Sequence, residues 1–225
     1  IERVDSQAVM LVMPADHFMR DVPAFQRTVD RAVEWAATHD DLVTLGIRPS
    51  RPETGYGYLK TGAAVAAEGA LRVEAFVEKP DLARAEKFVA SGDYLWNGGM
   101  FVWKVSAILA EFDRLMPEMR AAWEASGGSI EAAYPKMTAT SIDFGVMEKA
   151  RSVVTFPLEC GWDDLGSWTS VELLAAQQGL FLMFKSADLK PDDQARQARL
   201  QKLVADADSA AGKVQVAVVA GPDDA

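Results

Sequence analysis

The apolar positions of the chain fall into runs and stripes that alternate along most of its length. Residues 8–13 form an unbroken apolar run that stops at Pro14, which predicts a buried strand, parallel to its neighbours because both faces are apolar. Asp16 and His17 follow in the loop at its carboxyl end. Phe25, Val29, Ala32, Val33 and Ala36 recur at helical spacing and predict an amphipathic helix over 22–38. Residues 42–47 are again strand-like. The strand–helix–strand order argues for an α/β sheet.

Residues 49–57 hold two prolines and two glycines and read as a loop. A strand over 72–77 ends in Glu78-Lys79-Pro80. Asp81 then caps a helix that runs to Ser91, with Gly92 just past its end. A loop through Asn97 leads to a strand over 100–103. Ile108, Leu109, Phe112, Leu115 and Met116 mark a helix that Pro117 kinks or ends. Ser141 opens a short helix through Lys149, 153–156 is a strand, and the loop 161–167 leads to a helix over 168–176. From Gln177 the character changes: all six tryptophans lie at or before Trp168, and no aromatic follows Phe184. Residues 192–208 predict a helix with Leu200, Leu203, Val204 and Ala207 on one face, and 214–219 a strand. The chain therefore divides into a domain over 1–176 and an extension over 177–225.

Composition narrows the function. With 49% hydrophobic and 25% charged residues, the 225-residue chain is globular rather than disordered. The 23 basic and 33 acidic side chains leave a net charge of −10, which repels phosphate backbones and argues against nucleic acid as a partner. A single cysteine, Cys160, excludes an internal disulfide framework, and two histidines leave little for a His-rich zinc site. No apolar run is long enough for a membrane span, and 6–15 lacks the basic flank of a secretory signal, so a cytoplasmic location is expected. The first residue is Ile1, which reads as a fragment or a processed product.

Several groups could carry chemistry. Asp16 follows a strand end, where open α/β sheets bind ligands, and either holds a metal or caps the next turn. Gly161-Trp162-Asp163-Asp164-Leu165-Gly166-Ser167 places two carboxylates in a glycine-bounded loop. One or two carboxylates plus a substrate phosphate suffice for magnesium; helix capping is the structural alternative. In Glu53-Thr54-Gly55-Tyr56-Gly57-Tyr58 the glycines permit close backbone approach and the tyrosines offer a flat face with a hydroxyl tip, unless the segment is a plain surface turn. Glu78 can accept from vicinal hydroxyls and Lys79 can meet a phosphate, or the two form an ordinary ion pair. Asn97, in Trp96-Asn97-Gly98-Gly99-Met100, offers an amide that both donates and accepts.

Taken in order, six blocks resemble the mannose-1-phosphate guanylyltransferases (GDP-mannose pyrophosphorylases). They are 14–17, 51–58, 76–80, 96–101, 141–149 and 161–168, and the resemblance covers residues 8–176. It implies a Rossmann-like mixed α/β sheet flanked by helices, the nucleotidyltransferase fold. It also implies the conversion of GTP and mannose 1-phosphate to GDP-mannose and pyrophosphate. Matched residue by residue, Asp16 and Asp164 would hold Mg2+, Glu78 and Asn97 would take mannose hydroxyls, Lys79 would meet the sugar phosphate, and Gly57 beside Tyr56 would offer its backbone amide. Asp143, Glu148 and Lys149 would support the sugar end. The family's glycine-rich triphosphate loop does not occur in these residues, so the resemblance is to an N-terminally truncated domain, its sugar-phosphate half. Low turnover is expected of the chain as given. A sheet lacking its first strand would expose an edge and favour association into homo-oligomers, unless 214–219 fills the gap. A non-catalytic sugar-phosphate-binding module and a related enzyme for another sugar or base remain the alternatives.

Overall fold

The computed structural model describes residue 5 and residues 7–65, 69–166, 183–185 and 217–219. The chain divides into two compact units, one of Ile1–Ala15 with Met19–Trp162, the other of Asp16–Phe18 with Asp163–Ala225. The described elements run β1 (Val9–Val12), β2 (Phe18–Met19), α1 (Val22–Thr38), β3 (Leu42–Ile47), β4 (Tyr58–Ala64), β5 (Leu71–Val77), α2 (Leu82–Ser91), β6 (Tyr94–Lys104), α3 (Val105–Leu115), α4 (Pro117–Ala125) and α5 (Ile130–Ala133). A 3-10 turn (Tyr134–Lys136), a π-helical turn (Asp143–Met147), β7 (Val153–Leu158), β8 (Trp162–Asp163), β9 (Met183–Lys185) and β10 (Ala217–Val219) complete them.

In the larger unit six strands form one sheet in the order β1-β6-β3-β7-β5-β4, and β4 also pairs with β6, so that five of the strands close into a ring. Only β3 and β7 run parallel in this sheet; its other pairs are antiparallel. All six residues of β3 are buried, because strands lie on both edges and helices cover both faces. Side chains alternate between two cores. Val43, Leu45, Ile47, Val102, Val154, Phe156 and Leu158 pack with Ala32 and Ala36 of α1. Leu42, Phe101, Trp103 and Val153 pack with Ile108 of α3 and with Val146 and Met147 of the π turn. The expected mixed α/β sheet with flanking helices is present.

The helix signals act as read. Asp81 accepts from Arg84 N at 2.8 Å, and Gly92 ends α2 at φ +77°. Pro117 both ends α3 and opens α4. Asp81→Ala is expected to cost about 1 kcal/mol of stability, measurable as a lower urea midpoint with unchanged slope.

Three expectations need correction. The 8–13 run is not a buried parallel strand: β1 is antiparallel to β6, and Leu11 and Val12 are 40% and 39% exposed. An apolar run reports affinity for a sheet, and says nothing of whether the strand takes a central or an edge position. Asn97 is not in a loop but inside the eleven-residue β6. The ladder to β3 slips by two residues between Thr44↔Phe101 and Gly46↔Asn97, and Gly99 takes φ +65° there, so Gly98-Gly99 mark a bulge rather than a break. Finally, of 214–219 the strand is Ala217–Val219, and it pairs in parallel with β9 instead of completing the large sheet. The helices expected over 168–176 and 192–208 lie outside the described residues.

Candidate functional site

The larger unit gathers Gly57, Glu78, Asn97 and Asp143 from four separate segments. Gly57 ends the loop before β4, and its carbonyl accepts from Asn97 N at 2.8 Å, which ties the loop to β6. A Cβ on Gly57 would overlap Glu78 Oε2 and stand 3.3 Å from both Asn97 Cβ and Phe76 Cε1. The position therefore requires glycine for space, with no positive φ involved.

Glu78 follows β5. Its side chain is 9% exposed, against 61% for Lys79, whose Nζ lies 3.3 Å from Glu78 Oε1. Oε2 is buried with no protein partner. An unpaired buried carboxylate oxygen is costly, and here it fills the space that a side chain at position 57 would need. Burial raises the Glu78 pKa; the charge of Asp143 and, less, that of Glu148 push the same way, while Lys79 opposes them. Glu148 also accepts from the backbone N of Glu78 at 3.4 Å. Lys79 itself has φ +46°, an unusual conformation for a lysine, and its N–H donates to Tyr56 O at 3.2 Å. The strained backbone turns the chain sharply where the carboxylate and ammonium leave the strand.

Asn97 is held on both sides of its amide. Oδ1 accepts from Thr44 Oγ1 at 3.0 Å and from Gly99 N at 3.3 Å, and Nδ2 donates to Asp143 Oδ1 at 3.0 Å. Asp143 opens the π turn, a distortion that aims a side chain away from an ordinary helical path. The Tyr56 ring packs edge-on against Trp96 at 5.1 Å and Trp162 at 5.5 Å, so it serves as part of an aromatic wall. Arg51 lies over Trp96 at 5.4 Å.

The smaller unit holds the other candidates. Asp16 is exposed and His17 half-buried. Burial lowers the His17 pKa, and the charges of Asp16, Asp164 and Asp163 oppose it. Asp163 Oδ1 accepts from Leu165 N at 2.8 Å and Asp164 Oδ1 from Gly166 N at 3.0 Å, with Leu165 at φ +51° between them. Each acid thus orders the loop with one oxygen. Oxygen donors of this kind suit a hard cation. Among the described residues no group of three or more acidic, histidine or cysteine side chains could close around an ion.

Sequence reasoning missed Thr44. It stands as one hydroxyl in the apolar run Leu42–Ile47, and that interruption was the available signal.

The mixed, helix-flanked sheet that brings these carboxylates and this amide together defines an α/β protein. The family model for nucleotidyl transferases matches residues 1–180. The chain belongs to the nucleotidyl transferase family. Xanthan biosynthesis protein XanB of Xanthomonas campestris pv. campestris (strain B100) is 45% identical over 183 residues, which are 76% of this chain and 38% of that protein. The mannose-1-phosphate guanylyltransferase of Salmonella muenchen is 41% identical over 178 residues, 75% of this chain and 37% of the relative. A crystal structure described as mannose-1-phosphate geranyltransferase from Thermus thermophilus superposes with a TM-score of 0.72 at 35% identity, covering 82% of this chain and 55% of that one. The chain thus spans less than two fifths of the length of these two sequence relatives. Among the described residues no helix is long and apolar enough to cross a membrane.

Proposed function

We propose that the Gly57–Glu78–Asn97–Asp143 pocket binds mannose 1-phosphate, and that the chain serves a mannose-1-phosphate guanylyltransferase. In that reaction a phosphate oxygen of the sugar phosphate attacks the α-phosphorus of GTP. The new P–O bond forms as the bond to the bridging oxygen of the β-phosphate breaks, and pyrophosphate leaves with GDP-mannose as the product. Such transfer depends on positioning and charge neutralisation rather than on a covalent enzyme intermediate.

The observation that carries the reading is the buried Glu78 Oε2 without a protein partner, which a sugar hydroxyl would satisfy. Lys79, exposed at the pocket's edge, offers its ammonium to the sugar phosphate. Asp16 and Asp164 are the proposed carboxylate ligands of Mg2+, which when bound supplies charge neutralisation to the phosphates. A cytoplasmic location belongs to the same reading.

Calorimetry with mannose 1-phosphate in the absence of GTP tests the pocket: saturable binding is expected, and none at millimolar concentration would overturn the reading. Binding without GDP-mannose formation from added GTP and Mg2+ would favour a sugar-phosphate-binding module. For the metal ligands, Mn2+ is expected to broaden the His17 ring resonances in the unsubstituted protein and not in Asp164→Asn. Broadening that survives the substitution removes Asp164 from the ligand set.

A further inference from the structure

Resting on the mannose 1-phosphate reading, we infer that Thr44 is a positioning residue that locks the Asn97 amide so that it meets the sugar as a hydrogen-bond donor only. The orientation of an asparagine amide follows from the chemistry of its neighbours. A backbone N–H can only donate, so Gly99 N at 3.3 Å must face Oδ1. An ionised carboxylate can only accept, so Asp143 Oδ1 at 3.0 Å must face Nδ2. These two neighbours independently demand the same orientation. Thr44 Oγ1, 3.0 Å from Oδ1, must then be the donor of that bond.

The consequence is an accounting of the amide. Oδ1 accepts two bonds, from Thr44 and Gly99, and is filled. Nδ2 gives one of its two hydrogens to Asp143. One N–H remains for a ligand. Beside it, Glu78 Oε2 can only accept while the carboxylate is ionised. The pocket therefore pairs one donor from Asn97 with one acceptor from Glu78, the polarity that a pair of neighbouring hydroxyls can meet, each giving or taking one hydrogen.

Thr44 suits this role because of where it sits. It is fully buried in β3, one residue from the register slip at which Asn97 enters the ladder. In the unbulged ladder above the slip, Thr44 opposes Phe101. The side chain is fully buried and its hydroxyl reaches the amide, so valine would keep the β-branched shape and delete the bond.

Two measurements on Thr44→Val and Thr44→Ser separate the lock from the sugar reading. In the unsubstituted protein the two Asn97 Nδ2 protons should be resolved and slow to exchange with solvent. Thr44→Val should speed that exchange, weaken mannose 1-phosphate binding by about tenfold and lower the thermal midpoint through the lost buried bond; Thr44→Ser should restore exchange and affinity. Thr44→Ala replaces the valine variant if the latter does not fold. Unchanged amide exchange in the valine or alanine variant overturns the lock, as does a failure of serine to rescue it. Binding that is lost in every protein, including the unsubstituted one, while the amide still responds to Thr44, upholds the lock and refutes the mannose 1-phosphate reading.

Discussion

Glu78→Gln is expected to weaken mannose 1-phosphate binding about 10- to 150-fold, the 1.5–3 kcal/mol of a hydrogen bond to a charged group, while leaving the unliganded protein as stable or more so. The opposite signs come from one atom. Glu78 Oε2 is buried against Gly57 with no protein partner, which is unfavourable in the empty pocket and favourable once a hydroxyl donates to it. Glutamine keeps the shape and removes the charge. If its oxygen turns to the ligand, its NH2 faces Lys79 Nζ, which lies 3.3 Å from Oε1; if the NH2 turns to the ligand, the acceptor is gone.

The pH dependence follows from the raised pKa of Glu78, caused first by burial and then by Asp143. Between the ordinary carboxylate value of 4.5 and the raised value, the folded chain holds a proton that the unfolded chain has released. Stability therefore falls as pH rises through that window. Affinity moves the other way, because the ionised carboxylate is the stronger acceptor of a hydrogen bond from the hydroxyl. Calorimetry and thermal unfolding across the acid range, on the unsubstituted protein and Glu78→Gln, check both slopes. Parallel slopes, or equal affinity in the two proteins, would remove Glu78 from the binding site.

Gly57→Ala should abolish binding of the sugar phosphate at concentrations that saturate the unsubstituted protein, and should destabilise the fold by about 1–3 kcal/mol, the usual cost of overpacking. The added methyl would occupy the place of Glu78 Oε2 and press on Asn97 and Phe76 at 3.3 Å. The loop cannot simply retreat, because Gly57 O is bonded to Asn97 N and Tyr56 O to Lys79 N. Either the carboxylate is driven from its pocket or the β4–β6 junction opens. Each outcome removes the acceptor or misplaces the amide. Normal affinity in Gly57→Ala would mean that the ligand does not use this pocket.

Local signals carried much of the architecture. The stripe from Phe25 to Ala36, the Asp81 cap with its closing Gly92, and the stop at Pro117 are effects confined to a few neighbouring residues, and the structure keeps all three. What pairing decides was not local. The 8–13 run took an edge because of what lies beside it, and β4 was not foreseen because its mixed Tyr-Leu-Lys-Thr-Gly pattern gains its burial from β5 and β6. Gly98-Gly99 punctuates a sequence as a turn would, yet pairing with β3 on both sides of it carries the strand through as a bulge. In the site, the glutamate, the amide and the glycine were legible as residue types. Thr44 was not, since a threonine inside an apolar strand reads as core filler until its distant partner is known.

The proposed site residues stand at 57, 78, 97 and 143, with Thr44 bonded to the amide, so that each comes from a separate segment of the chain. No short stretch of the polypeptide carries even a rudimentary version of the receptor. Because its contacts span so much intervening chain, its assembly waits for slow long-range encounters, and a nascent or partly unravelled molecule has nothing to offer a carbohydrate. Any sugar phosphate that does bind therefore acts as a ligand of the finished fold alone, and holds the molecule in it by mass action.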